Sequence, residues 1–246
     1  MVKTDMSALC NIFRTFRLTC YLLICVALLG LSTARAAPPE QVEITFEIHF
    51  GAIRLGIGED RLKHDGKQYQ VYSDTIPQGM AALFIDTIRR ESAGSITQSG
   101  LRPVRFIERG RKQGIRAAEF DWTNERLRLI HGESNQVVDL PKGSIDQASL
   151  PYAFAFAGKI PDDFSVHVTD GRRIKEYQYR IIGRERLESA LGEIDTIHIQ
   201  RRVDPSTKRS FEFWVAVDQH YLPVQMRFTD KKGRLFESVV TSIRYP

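Results

Sequence analysis

Phe211-Glu-Phe-Trp-Val-Ala-Val217, Tyr221-Leu-Pro-Val-Gln-Met-Arg-Phe228 and Leu235-Phe-Glu-Ser-Val-Val-Thr-Ser-Ile243 are three apolar, β-branched and aromatic runs in close succession. In the middle run Val224, Met226 and Phe228 alternate with Gln225, Arg227 and Thr229. Alternation with period two puts one set of side chains on a buried sheet face and the other in water. Asp230-Lys-Lys-Gly233 separates the second and third runs, and Gly233 can supply the positive φ of a tight reversal, so these runs read as a hairpin. The chain ends as a β-meander.

The same pattern extends upstream. Val42, Ile44, Phe46 and Ile48 alternate with Glu43, Thr45, Glu47 and His49; Gly51 interrupts this strand and reads as a bulge or sharp bend. Asp65-Gly66 and Asp170-Gly171 are hairpin signals. In residues 115–122, Ala118, Phe120 and Trp122 share one face and Glu119 and Asp121 the other. Two stretches read as short helices: residues 80–88, and a segment starting near Ser149 and stopped by Gly158, with Ser144 or Asp146 as cap and Pro151 in its first turn. Roughly ten to thirteen strands are expected. A flat sheet of that many strands exposes long edges and an uncovered apolar face. The expected fold class is therefore mainly β, an antiparallel meander curled into an open barrel or β-roll with two short helices as lids; a two-sheet sandwich is the runner-up.

Residues 1–36 differ in kind. Lys3, Arg14 and Arg17 precede an apolar run over 18–31, and Ala34-Arg-Ala36 fits a signal-peptidase site, with cleavage between Ala36 and Ala37. The run is shorter than the roughly 20 residues that span a bilayer. The expected organisation is a signal peptide, 1–36, and a single β-rich domain, 37–246. Export to the periplasm as a soluble protein follows, with membrane contact only through the uncleaved leader. All three cysteines, Cys10, Cys20 and Cys25, lie in the leader, so no disulfide or thiolate is available beyond it. Four of the 35 basic residues and one of the 30 acidic ones also lie there, leaving a charge of about +2 on the rest. That offers no footing for nucleic acid, which asks for a strongly basic, clustered face.

Gly66-Lys-Gln-Tyr-Gln-Val71, Leu101-Arg-Pro-Val-Arg-Phe-Ile-Glu-Arg-Gly-Arg-Lys112, Glu119-Phe-Asp-Trp122, Asp146-Gln-Ala-Ser-Leu150, Ala190-Leu-Gly-Glu-Ile-Asp-Thr196 and Phe213-Trp-Val-Ala-Val-Asp218, in that order, resemble the bacterial envelope family catalogued as domain of unknown function 3108. The likeness begins near Phe46 and spans most of the chain. It implies an exported β protein of a Gram-negative bacterium with no assigned activity, and carries no catalytic residue across. At the level of fold alone, a curved sheet with short helices is similar to the periplasmic lipoprotein-carrier half-barrels.

No chemistry stands out. The six histidines show no metal spacing, and His49, His167 and His198 sit in strand patterns, where a satisfied or solvated ring is expected. There is no G-x-S-x-G elbow, P-loop or dinucleotide fingerprint. Glu119 and Asp121 read as a solvent face rather than a catalytic pair. Arg109, Arg111, Lys112 and Arg116, and Arg172, Arg173 and Lys175, form basic hairpin tips that read as charged, solvated loops. The aromatic residues Trp122, Phe154, Trp214 and Phe228 are the candidate lining of an apolar ligand cavity. The expected function is non-catalytic: binding of a hydrophobic, lipid-like ligand or of an envelope partner, with no cofactor or metal. The alternative is a cell-envelope hydrolase acting on glycan or ester bonds through residues gathered from separate strands.

Overall fold

The structure, a computed structural model, describes residues 37–110, 114–203 and 208–246. The expected leader with its Ala36, and Arg111 and Lys112 of one basic tip, lie outside the described residues.

Among the described residues fifteen strands form one sheet. One wing comprises β1 (Gln41–Phe50), β2 (Ile53–His64), β3 (Gln68–Pro77), β4 (Ile88–Thr97), β5 (Gly100–Gly110), β6 (Gly114–Asp121), β7 (Arg126–His131) and β8 (Ser134–Asp139). The other comprises β9 (Ile145–Asp146), β10 (Asp163–Thr169), β11 (Ile174–Ser189), β12 (Gly192–Arg201), β13 (Ser210–Ala216), β14 (Leu222–Thr229) and β15 (Leu235–Arg244). The order across the sheet is β8 down to β1, then β15 down to β9, so the first and last strands pair in the middle. Every ladder is antiparallel except the two-residue pairing of β9 with β10.

This connectivity forces a curl. Fifteen strands at about 4.8 Å spacing would span about 67 Å if flat. Yet β8 and β9, at opposite edges, are joined by residues 140–144 alone, which reach about 21 Å when fully extended. The wing tips meet by overlap rather than by edge pairing. The turn before β11 lies on β6, where a Cβ added at Gly171 would stand 3.0 Å from the Ala117 nitrogen, and β9 packs on β5. The sheet is a roll that is not closed.

The inward rows are those the alternation marks: Val42, Ile44 and Phe46 on β1, Tyr69 and Val71 on β3, Ala118 and Phe120 on β6 are all buried. β13 is buried on both faces, and β11 reaches across to touch β15.

One expectation needs correction. Residues 80–88 form no α-helix; a 3-10 turn covers Gly79–Leu83 and its apolar side chains face solvent. A continuous apolar run has no polar face to orient a helix and found no core to cover. Gly51 is the sharp bend of the two forms expected: it turns β1 into β2, with φ of +55°, and the irregular pairing falls beside it, at Ile48 and His49. The expected helix near Ser149 is present as α1 (Leu150–Phe156) and lies between the wings as a plug.

Candidate functional site

The segment 144–157 positions everything in the interior. Asp146, at the end of β9, turns the chain into α1: its Oδ1 accepts the N–H groups of Ala148 and Ser149, both at 2.9 Å, a role otherwise taken by a helix N-cap side chain. Its Oδ2 accepts Ser149 Oγ at 2.9 Å and Ser92 Oγ of β4 at 2.6 Å. The Tyr69 hydroxyl of β3 lies 3.2 Å behind Ser92 Oγ. Two further ties run to the same wing. Gln147 Nε2 donates to Glu108 of β5 at 2.8 Å, and Tyr152 donates to Asp60 Oδ2 of β2 at 2.6 Å. Glu108 is also held by Arg90 at 2.7 Å and Arg116 at 2.8 Å.

Toward the second wing the helix is apolar. Phe154 meets Phe213 of β13 and Phe164 of β10, with ring centroids 5.7 and 6.1 Å apart. Burial pushes the carboxyls of Asp60 and Asp146 above the usual aspartate range, and their hydrogen bonds offset part of that rise. Such groups resist removal, because truncating one partner strands the others without water.

α1 leaves space on both sides. On one side a cleft of about 660 Å³ opens between the β4–β5 turn, the β8–β9 link and the start of β10. Leu101, Trp122, Leu150, Phe154, Ile160 and Phe164 form its apolar walls, and Arg102, Lys142 and Lys159 stand among the lining with one acid, Glu125. Trp122 is a fixed wall: its Nε1 donates to Pro103 O at 2.6 Å, Phe120 stacks at 5.9 Å, and the Arg102 guanidinium sits 4.8 Å over its ring. The size and lining are those of small-ligand sites. On the other side a smaller cavity of about 330 Å³ lies among Phe46, Phe211, Met226, Phe228 and Phe236, with Asp60 and Arg90 as polar lining.

The four aromatic residues singled out in the sequence thus separate. Trp122 and Phe154 share the larger cleft, and Phe228 belongs to the smaller cavity. Trp214 lines neither; only 3 % exposed, it stacks on His198 at 4.1 Å with Arg227 4.9 Å over the ring. Sequence reading missed Leu101, Ile160, Phe164 and the three cations. Lys142 and Lys159 do flank the α1 segment in sequence, but nothing there tells that they converge.

His198 stands between two carboxylates. Nδ1 lies 2.5 Å from Glu185 Oε1 and Nε2 lies 3.0 Å from Glu212 Oε2, so the ring bridges β11, β12 and β13. Trp214 Nε1 also donates to Glu185, at 3.2 Å. Hydrogen bonding to His198 holds the Glu212 carboxyl below the usual glutamate range. In a nucleophile–histidine–acid arrangement one ring nitrogen must face the nucleophile, whereas here both face carboxylates. Glu119 and Asp121 are engaged elsewhere: Glu119 lies 3.7 Å from Arg128, and Asp121 accepts the backbone N–H groups of Thr123 and Asn124. Among the described residues no three His, Cys, Asp or Glu side chains are placed to hold a metal ion, and no helix is long and apolar enough to cross a membrane.

The architecture has solved counterparts. A β-barrel-like protein of domain of unknown function DUF1849 from Brucella abortus superposes with a TM-score of 0.55 at 10 % identity, covering 85 % of this chain and 99 % of its own. A Bacteroides fragilis protein described as exported, with a YmcC-like fold, gives a TM-score of 0.34 at 10 % identity over 86 % of this chain and 99 % of its own. A Parabacteroides distasonis protein described as a lipoprotein gives 0.29 at 11 % identity over 86 % and 97 %. The first supports the barrel-like fold, and none transfers an activity. Among curated proteins the chain has no match. The family model described as "Protein of unknown function (DUF3108)" matches residues 45–240, and the chain belongs to that family.

Proposed function

We propose that this chain is a non-catalytic, exported protein of the bacterial envelope, working in the periplasm, that holds a lipid-like molecule with an anionic head in the cleft beside α1. One observation carries the reading. A pocket of about 660 Å³ with walls of Leu101, Trp122, Leu150, Phe154, Ile160 and Phe164 also presents Arg102, Lys142 and Lys159. An apolar tail displaces water from the walls, and a carboxylate or phosphate head meets the cations. The alternative, a hydrolase, gains no support from His198, Glu185, Glu212, Glu119 and Asp121, each of which has a structural partner.

Two measurements test the proposal. Native mass spectrometry without detergent follows the protein after incubation with a bacterial lipid extract, and a bound amphiphile is the expected result. A fluorescent fatty-acid probe is then titrated into the wild type and Ala153→Trp, which fills the cleft from α1. Binding weaker by roughly tenfold or more in the variant, at unchanged melting temperature, is expected from losing most of the buried apolar contact. A bare protein mass together with equal probe binding by both forms would sink the proposal.

A further inference from the structure

The connection between β3 and β4 holds large apolar side chains in solvent. Met80, Leu83 and Phe84 are 73 %, 68 % and 72 % exposed, and Ile85 is 40 % exposed. The turn that carries them is ordered. Gln78 N–H donates to Leu55 O at 2.8 Å, and the N–H groups of Phe84 and Ile85 both donate to Ala81 O, at 3.0 and 2.8 Å. Ile53, at the start of neighbouring β2, adds another exposed apolar side chain. Scattered apolar residues on a surface need no explanation, but a contiguous group on one projecting turn does.

The charge around this turn is distributed by the meander. Strands alternate in direction, so the β1–β2, β3–β4, β10–β11 and β14–β15 turns all lie at one end of the roll. That end is basic. Arg54 and Arg89 flank the apolar turn, and the pairs Arg172-Arg173 and Lys231-Lys232 occupy other turns of the same rim, all exposed. Among the acids there, Glu47 lies 3.3 Å from Arg54 and Asp74 lies 3.8 Å from Arg89, Asp170 and Asp230 brace their own turns, and Asp86 is half-buried in the apolar connection itself. The opposite end, beside the larger cleft, is mixed in charge, with Asp121, Glu125, Asp139, Asp162 and Asp163 in or next to its connections together with Lys142 and Lys159.

We propose that the basic end docks on an anionic lipid bilayer, with Met80, Leu83, Phe84 and Ile85 entering the boundary between headgroups and acyl chains. The rim arginines and lysines then meet lipid phosphates. This combination of an apolar wedge and surrounding cations is what interfacial binding asks for. The apolar turn is convex, and the cations are spread over separate turns rather than gathered into a pocket. A fluid, laterally averaged anionic surface complements such a rim better than the fixed relief of a folded partner. The larger cleft faces the other way and stays open to solvent. The proposal therefore stands apart from the ligand reading above, and contact is not confined to the leader.

The test uses residues 37–246, the compact unit that contains all the cores and buried ties described here, so that the leader contributes nothing. Its binding is measured by co-sedimentation with vesicles of phosphatidylcholine alone and of equimolar phosphatidylcholine and phosphatidylglycerol. Mixed vesicles are expected to bind roughly tenfold or more tightly than neutral ones, with binding falling as salt rises. Leu83→Asp/Phe84→Asp should lose most binding to mixed vesicles at unchanged melting temperature. Lys231→Glu/Lys232→Glu should weaken binding to mixed vesicles only. Ala153→Trp should bind them like wild type, which separates this result from the fate of the ligand proposal. Wild type that ignores both vesicle types, equal binding to the two, or full binding by the Leu83/Phe84 variant overturns the proposal. So does self-association of vesicle-indifferent wild type that the same variant abolishes, which would make the turn a protein interface.

Discussion

The Tyr152 hydroxyl donates a 2.6 Å hydrogen bond to Asp60 Oδ2, joining α1 to β2 across 92 positions of sequence. Burial has already lifted the Asp60 carboxyl above its ordinary 3.8, and the Tyr152 bond lowers it. The folded state therefore keeps a proton that the unfolded chain releases, and this group makes stability fall as pH rises from about 4 through the folded value. Tyr152→Phe should cost about 1–3 kcal/mol, as a buried acceptor loses its donor. It should also steepen the loss of stability between acid and neutral pH. Urea midpoints for both proteins at a series of pH values measure the two effects.

Asp146 is expected to be less replaceable still. It accepts two backbone and two hydroxyl hydrogen bonds inside the core. Asp146→Ala strands four donors and should cost about 3–5 kcal/mol. Asp146→Asn keeps the acceptor for the two backbone amides, while the hydroxyls can rotate, and should cost clearly less. Denaturant unfolding gives the energies, and hydrogen exchange should show residues 146–156 losing protection first in the alanine variant.

Gly94 and Gly66 test two different reasons for glycine. At Gly94, beside the irregular pairing of β4 and β5, an added Cβ would lie 2.2 Å from Arg102 O. Backbone must move, and Gly94→Ala should cost about 3 kcal/mol. At Gly66, with φ of +83°, nothing lies within 4 Å, and only the left-handed backbone resists substitution. Gly66→Ala should cost about 1–2 kcal/mol. Melting temperatures should rank them in that order.

Acid sensitivity should trace in part to Glu212. Its folded value is depressed, first by the His198 hydrogen bond, so its contribution is present above the ordinary 4.5 and is lost as pH falls through the folded value. Glu212→Gln should lower stability at neutral pH and flatten the acid limb of the melting-temperature profile. Trp214, stacked on His198, reports the same event through its fluorescence. A profile parallel to wild type down to pH 3 would refute this assignment.

What could be read from residues alone follows from how local the cause was. The inward rows of β1 and β6 were legible because their alternation is written in consecutive residues, and Pro151 beside Ser149 marked where α1 begins; in β14 the alternation misled, since Gln225 is buried and Phe228 is 39 % exposed. Asp60 was not legible as a buried tether. It lies in the inward row with Gly58 and Leu62, but its partner is 92 residues away, and a lone strand acid otherwise reads as solvated. Trp122 and Phe154 stood out as large aromatic residues, yet only the overlap of the wings brings them to one cleft and sends Phe228 to the other. Trp214 shows the same limit, since its neighbours His198 and Arg227 come from strands on either side. The run at residues 80–85 misled because apolar residues ordinarily signal burial, and here they face outward.

The pairing of β1 with β15 carries a temporal consequence. Thr241 Oγ1 donates to Thr45 O across 196 positions, and Arg244 reaches Glu43 across 201. The earliest-made strand of the roll must wait, with one edge bare, until the latest arrives. Closing so long a loop is slow relative to local hairpins. A chain emerging N-terminus first can assemble each wing by neighbour-to-neighbour zipping, but the two halves fuse only after the final strand has emerged.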